Sequence, residues 1–413
     1  MLKRSRGTRV LAAVAGWLLL STGCASHAGP RAAPPVGANS VHAVSPEQEA
    51  RRQVELGNQL LAEGRLDDAE HAFRLALEAQ SSSIEAASGL GRVEVQRGHY
   101  TEALPLLERA TRASGQMVST FRALGDAYAA TGDFERAAVS YRQAVALAPE
   151  DVEGRLLLGR MLTEAGDLNE AEEVLTRALR MTREDSKQLA HAHAELGEVY
   201  CRQGKSPEAM ASFYKAAELN PGDLEITRGL AACAVRAGLY AEAASAYQKV
   251  LQIEPLDLSA KKQLAWVNFK LERFPNAIGH YEAIRDSLGT VDRYYLAQAY
   301  AKTNKVDRAV EQFREVIRLD RQNYKGVYCN MAYAYYDANR YESAIRVAKE
   351  GLQADSTSAC LHFCWAQALD KLGRHEDAIL AFEAVGGTDP AYADAAKREL
   401  ERQRRIVRLL RSK

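Results

Sequence analysis

Two cysteines and a histidine lie close together near the end of the sequence and raise the question of a metal site. Cys360 and Cys364 are four residues apart, which places both thiols on one face of a helix, while His362 points elsewhere. A structural zinc ion needs four ligands, and no others lie nearby in the sequence. The remaining histidines form no HExxH pattern. We therefore expect no metal site.

The sequence also lacks the patterns that mark common catalytic and cofactor sites. It contains no GxSxG, no Walker A sequence and no GxGxxG in a strand-to-helix context. Residues 24–396 carry 42 basic and 52 acidic side chains, whereas a general nucleic-acid binder has a basic body. We expect a protein that is not an enzyme, holds no cofactor and binds no nucleic acid.

A different chemistry is indicated at Cys24. Residues 1–23 begin with basic side chains and continue into an apolar run at 10–20. That run is too short for a membrane-spanning helix, which needs about 20 residues, and is typical of a secretory signal. The run is followed by Ser21, Thr22 and Gly23, and then by the cysteine.

This segment resembles the signal peptide of bacterial lipoproteins, in which a small residue precedes an acylated cysteine. Ser21 departs from the pattern, because leucine is most usual there. The resemblance implies removal of residues 1–23 and lipid attachment to Cys24, which would hold the protein on a membrane. Ala25 replaces the aspartate of inner-membrane retention, so we expect a lipid-anchored protein of the cell envelope, at the outer membrane and facing the periplasm. The alternative is an ordinary secretory signal with an incidental cysteine.

The rest of the chain is a repeated pattern that begins near residue 50. Leu-Gly pairs start at residues 56, 90, 124 and 158, a spacing of 34, and six later copies keep nearly the same period. Each copy has a second small residue further on, and these alanines lie at positions 69, 103, 137, 171, 209, 243, 277, 309, 344 and 378. Glycine or asparagine separates the two halves of each copy, except at Glu272.

This pattern resembles the tetratricopeptide repeat (TPR) family. The resemblance implies an all-α, right-handed superhelical solenoid of about ten helix hairpins plus a C-terminal capping helix. We place the Pro/Ala-rich tether with its lipidated cysteine at 24–49, repeats 1–4 at 50–189, repeats 5–10 at 190–390 and the basic capping helix at 391–413.

The capping helix has two interpretations. Its apolar face is predicted to dock on the last repeat and consists of Ala393, Ala396, Leu400, Gln403, Val407 and Leu410. The arginines predicted to lie away from that face are Arg398, Arg402, Arg405 and Arg408. They are either a solvated surface or a contact for an acidic partner or anionic lipid.

In the TPR family, fixed positions of each first helix line a concave groove that binds a protein segment. In the N-terminal half those positions hold Arg92, Arg122, Asp126, Arg160, Glu164, Glu198 and Arg202. In the C-terminal half they hold Lys262, Trp266, Phe269, Lys270, Tyr294, Lys302, Tyr333, Tyr336, Phe363 and Lys371. Aromatic side chains are enriched in binding hot spots, and lysines suit a partner with carboxylates. The alternative is that some rings turn inward and pack between helices.

The sequence leaves open whether four cysteines of the repeats form disulfides. Cys201 and Cys233, like Cys329 and Cys360, fall on the first helices of neighbouring repeats. They are either buried thiols or disulfides, which the oxidising compartment of an exported protein would permit.

Together these features predict a non-catalytic scaffold for assembly of an envelope complex, of the pilus, secretion, outer-membrane or polysaccharide-export type. One alternative is a solenoid that binds or guides a polysaccharide. The other is a soluble cytoplasmic TPR adaptor.

Overall fold

The computed structural model describes residues 45–112, 117–182, 185–386 and 389–412. Cys24, the signal segment and most of the predicted tether lie outside this range. The described residues form helices and contain no strand.

Local signals in the sequence set where many of the helices begin. Carboxylates at Asp151, Asp223 and Asp257 accept hydrogen bonds from backbone N–H groups of the first turn that follows. Those N–H groups have no partner within the helix, so an aspartate at this position stabilises the helix start by about 1 kcal/mol. The same residue type therefore recurs at the start of successive repeats.

The helices alternate between the first and second member of a hairpin. The first helices are α1 (Pro46–Ala62), α3 (Ile84–Arg97), α5 (Val118–Ala130), α7 (Val152–Ala165), α9 (Ser186–Arg202), α11 (Leu224–Arg236), α13 (Leu258–Lys270), α15 (Thr290–Lys302), α17 (Val327–Asp337) and α19 (Ala359–Lys371). The second helices are α2 (Leu66–Ala79), α4 (Tyr100–Arg112), α6 (Phe134–Leu147), α8 (Leu168–Met181), α10 (Ser206–Leu219), α12 (Tyr240–Ile253), α14 (Phe274–Glu282), α16 (Val306–Leu319), α18 (Tyr341–Ala354) and α20 (His375–Glu383). A last helix, α21, spans Pro390–Arg411.

The link between the two helices of a repeat needs one residue in the left-handed conformation. Glycine supplies it in most repeats, for example Gly98 with φ 80°. Glu272 occupies the corresponding position of repeat 7 and adopts the same left-handed conformation, with φ 58°. A side chain in this conformation costs roughly 1 kcal/mol, so packing of the repeat outweighs the local preference of glutamate.

The core of the solenoid is formed by large side chains of the second helices that insert between small residues of the first helices. Phe213 of α10 is 2% exposed. Its ring lies against Gly197 in the same repeat and Gly229 in the next one. A methyl group added at either glycine would lie within 2.8 Å of the ring. Phe73 makes the same contacts with Gly57 and Gly89, so one ring joins two repeats in both places.

Consecutive first helices also contact each other, as α7 contacts α9 and α17 contacts α19. We call the surface that they share the inner face. The prediction of an all-α solenoid of about ten hairpins with a capping helix is confirmed.

The contacts of α21 differ in detail from those predicted. Ala396 and Gln403 are buried against the last repeat, as expected, but Leu410 remains 59% exposed and borders an open cavity of about 400 Å³ between α21 and the start of α20. The prediction that Arg402 lies away from the repeat is also wrong. Its guanidinium bonds to Asp370 of α19, because it lies at the edge of the docked face.

Candidate partner-binding surface

The inner face of repeats 7 and 8 carries a chain of aromatic rings. Trp266 of α13 packs edge-on against Tyr295 of α15, with ring centroids 6.4 Å apart. Phe269 lies 5.1 Å from the same tyrosine. Tyr294 lies 5.7 Å from it and 5.8 Å from Tyr324. Because these rings are half-buried, each supports its neighbours while keeping part of its surface accessible.

A second, smaller group of rings lies on repeat 9. Tyr333 and Tyr336 of α17 have ring centroids 6.2 Å apart, and Tyr336 also packs on Tyr341 at 5.5 Å. The Tyr333 hydroxyl lies 3.4 Å from the Gln367 side-chain oxygen, to which it donates. Burial raises the pKa of Tyr333, so the phenol stays neutral and can donate this bond.

The predicted site therefore divides into three parts. We call the accessible rings and their lysines the aromatic surface, which consists of Lys262, Trp266, Phe269, Lys270, Tyr294, Lys302, Tyr333 and Tyr336. Phe363 does not belong to it. Its ring is 8% exposed and packs between Phe382 and Tyr392, because α21 covers this part of the last repeat. Lys371 is exposed at the end of α19.

The lysines of this region differ in whether their charge already has a partner within the protein. Lys262 lies 3.6 Å from Asp292, and Lys270 lies over the Trp266 ring at 5.2 Å. Lys302 and Lys371 are exposed and have no ion pair within the described residues. Two of the predicted lysines are thus free to meet a carboxylate from outside.

The N-terminal half of the inner face has a different character, because its charges pair with one another across repeats. Arg202 bonds Glu164 of the previous repeat at 2.6 Å and Glu198 of its own helix at 2.7 Å. Arg236 reaches the same Glu198 from the next repeat at 2.5 Å. We call this set of bonds the charge ladder. Side chains that satisfy each other in this way offer less to a partner than the aromatic surface does.

A cavity of about 440 Å³ opens beside the charge ladder, at repeats 4 to 6. Its lining includes Arg160, His191, Glu195 and Phe213. Burial raises the pKa of Glu195, and the nearby Arg160 opposes that shift through a bond of 2.7 Å. Arg160 and Glu195 therefore neutralise each other in the wall of this cavity.

The structure resolves the choice that the sequence left open for four cysteines. Cys201 and Cys233 form one disulfide, with Cα atoms 5.8 Å apart, and Cys329 and Cys360 form another at 6.2 Å. Both Cα distances fall in the ordinary range for a disulfide.

Cys364 remains a buried thiol, and burial raises its pKa to about 12, which makes it unreactive near neutral pH. Within the described residues no cluster of three or more histidine, cysteine or acidic side chains could hold a metal ion.

Sequence reasoning missed several residues that the structure brings into the site. Tyr240, Tyr295 and Tyr324 complete the aromatic chain, yet none occupies a groove position of the repeat pattern. The adjacent tyrosines at 294 and 295 were a visible signal, since two successive rings on a helix point to neighbouring sides. None of the described helices has both the length and the apolar character that a membrane crossing requires.

Comparison with known proteins agrees with this architecture. A tetratricopeptide repeat family model matches residues 54–117, 122–188, 194–257, 229–292 and 329–396, and a second one matches 293–323. The chain is 31% identical over 165 residues to "Cellulose synthase operon protein C" of Xanthomonas axonopodis pv. citri (strain 306), covering 38% of this chain and 11% of that protein. It is 30% identical over 112 residues to "Protein CTR9 homolog" of Arabidopsis thaliana, covering 27% and 10%. The chain spans about a tenth of the length of these curated relatives.

Solved structures with similar repeats include YrrB, described as a TPR protein with an unusual peptide-binding site. It is 26% identical, covers 43% of this chain and 90% of its own, and superposes with a TM-score of 0.40. PilW, described as a widely conserved type IV pilus biogenesis factor, is 18% identical, covers 50% and 94%, and has a TM-score of 0.44. Since the family models match most of the sequence, and the structure has the helix pairs that they describe, the chain belongs to the tetratricopeptide repeat family.

Proposed function

We propose that this TPR protein is an exported, non-catalytic scaffold that a lipid on Cys24 anchors in the bacterial outer membrane, facing the periplasm. Through its aromatic surface it binds a protein partner and helps to assemble an envelope complex of the pilus, secretion, outer-membrane or polysaccharide-export type. TPR solenoids generally act as scaffolds for protein partners, and the residues that would anchor and bind are the ones argued above.

The observation that carries the proposal of export is the pair of disulfides between first helices of neighbouring repeats. Structural disulfides persist in oxidising compartments such as the periplasm and are rare in the cytosol. They agree with the signal-like segment before Cys24 and disfavour a cytoplasmic adaptor.

The chemistry of the aromatic surface indicates the kind of segment it binds. Half-buried rings provide apolar contact area at low entropic cost, because their neighbours already hold them in place. Lys302, and Lys371 at the end of a first helix two repeats further on, add unpaired positive charge. The partner segment should therefore present apolar side chains next to carboxylates.

The aromatic surface predicts a loss of partner binding when Trp266 is changed. We expect Trp266→Ala to weaken binding by roughly thirtyfold, because a central ring in an interface contributes about 2 kcal/mol or more. The partner is first captured from a solubilised envelope extract and identified, and its affinity is then measured by calorimetry. Tyr214→Ala is the matched control, since Tyr214 is 51% exposed on α10 of repeat 5, away from the aromatic surface.

Trp266 also packs on Tyr240 and Tyr295, so a second variant separates binding from folding. Lys302→Glu with Lys371→Glu reverses two exposed charges that form no ion pair with any residue that the structure describes. This variant should keep the melting temperature and lose affinity in a salt-dependent way. Unchanged affinity in both variants would exclude the aromatic surface as the binding site.

Anchoring is tested separately at Cys24. We expect Cys24→Ser to abolish palmitate labelling and to release the protein from membranes washed with carbonate, since no acyl chain would remain to hold it. Ser21→Leu is the control, because it restores the usual residue of the lipoprotein pattern and should be processed at least as well. Retention of Cys24→Ser in washed membranes would contradict the anchoring proposal and leave the scaffold proposal intact.

A polysaccharide is the second candidate ligand. Two observations favour it: the partly accessible Trp266 ring, which could stack on a sugar, and the relative named for a cellulose synthase operon. Titration with β-1,4-linked glucan oligosaccharides should then change tryptophan fluorescence in the wild type and not in Trp266→Ala. No change in the wild type would reject this candidate.

A further inference from the structure

The last helix, α21, is held in one orientation by its contacts with the final repeat. Gln403 is fully buried and bonds to His375 at 2.9 Å and to Asp370 at 2.7 Å. Two further bonds, of Arg404 to Glu383 at 2.7 Å and of Arg411 to Glu376 at 2.5 Å, tie α21 to α20. With one side of the helix fixed in this way, the opposite side must face solvent.

That outward side combines positive charge with apolar area. Arg405 and Arg408 are exposed and have no ion pair within the described residues. Beside them Leu409 is 56% exposed. Leu380 of α20 is 65% exposed and lies between the two glutamates that bind α21, so it borders the same region. We call Leu380, Arg405, Arg408 and Leu409 the terminal patch.

The charge of this region is mainly positive, although the exposed Glu401 lies one helical turn before Arg405. From Arg402 to Arg411 the helix contains five arginines and no acidic residue. The acidic side chains of the last repeat bond to Arg402, Arg404 and Arg411, which leaves Arg405 and Arg408 for an outside group. The complementary surface must therefore be anionic.

We propose that the terminal patch binds the surface of an anionic phospholipid membrane. Arginine suits this contact because its aliphatic stem lies along apolar surface while its guanidinium bonds to phosphate oxygens. Exposed leucines beside basic side chains are typical of helices that lie in the interfacial layer of a bilayer. A membrane surface supplies phosphate groups for the two arginines and also covers the two leucines.

This contact goes beyond the proposed scaffold function, because it needs neither a protein partner nor lipid on Cys24. It would give the protein a second attachment to the bilayer, at the opposite end of its sequence from the lipid anchor.

The test measures co-flotation of the full chain, carrying Cys24→Ser so that no acyl chain contributes, with vesicles of known composition. We expect binding to vesicles that contain phosphatidylglycerol, little binding to phosphatidylcholine alone, and release by salt. Arg405→Gln with Arg408→Gln should lower the partition coefficient roughly thirtyfold, because each basic residue near an anionic surface strengthens binding by about fivefold. Leu380→Gln with Leu409→Gln should weaken it as well, while Arg405→Lys with Arg408→Lys should retain most of it.

The matched control changes the same types of side chain, arginine and leucine, at exposed positions outside the terminal patch. Arg52→Gln, Arg321→Gln and Leu256→Gln change two exposed arginines and a leucine that is 84% exposed, and should leave vesicle binding unchanged. The proposal is overturned if the wild type fails to bind anionic vesicles, or if the control variant loses as much binding as the patch variants. It is equally overturned if the patch retains an acidic protein from an envelope extract but no vesicle, which would make this a protein contact.

Discussion

Replacing Phe213 with alanine is expected to lower the free energy of unfolding by about 3–5 kcal/mol, as is usual when a buried phenylalanine is deleted. The ring is 2% exposed and fills the space between Gly197 of repeat 5 and Gly229 of repeat 6. Because the stability of a repeat protein is a sum of repeat and interface terms, the loss should be concentrated at this junction. Urea denaturation followed by circular dichroism should change from one cooperative transition toward two.

A second pair of variants tests whether the ring and the glycine act together. Gly229→Ala places a methyl group 2.7 Å from the ring and should cost about 1–3 kcal/mol in the wild type. In a Phe213→Leu background the smaller side chain leaves room, so the same change should cost less. Equal costs in both backgrounds would mean that the contact does not couple the two repeats.

Loss of the Cys201–Cys233 disulfide is expected to lower the free energy of unfolding by about 3–4 kcal/mol. The two cysteines are 32 residues apart in sequence, and the estimate follows from the chain entropy that closing such a loop removes from the unfolded state. The double variant Cys201→Ala with Cys233→Ala should be less stable than the wild type under oxidising conditions. Denaturant titrations with and without a thiol reductant measure the difference.

The control for this prediction is Cys364→Ala, which removes a buried thiol that forms no disulfide. It should cost about 1 kcal/mol from lost packing and should leave the response to reductant unchanged. If the wild type has the same stability with and without reductant, the disulfide does not contribute as proposed.

Most of the fold can be predicted from the repeated pattern, because the small residues that recur in it mark the contacts between helix backbones. Small residues such as Gly197 must recur wherever two helices approach closely, and Gly98 marks a turn that other residues adopt at a cost. Gly229 was not recognised, since a glycine inside a helix has no evident purpose until the ring that it accommodates is known. Glu272 interrupts the series of glycines and asparagines in the sequence, yet the left-handed turn forms there as well.

The candidate site is less predictable, because a groove position does not determine what covers it. Trp266 and Phe363 both occupy such positions, yet the first is partly accessible and the second is covered by Tyr392 of α21. Likewise, the pattern placed Arg202 on the inner face without indicating that Glu164 and Glu198 would already bind it. Side-chain partners that come from the next repeat, or from the cap, cannot be inferred from spacing within one repeat.

The two disulfides also determine how the protein would respond to a pulling force. A force that pulls the two ends of the chain apart acts on every repeat between them. The residues between Cys201 and Cys233, and those between Cys329 and Cys360, cannot lengthen under load while the sulfur–sulfur bonds hold, so each loop withholds about 100 Å of chain. Under tension, extension would therefore have to come from the repeats outside these loops, and reduction would release the withheld length in two separate steps.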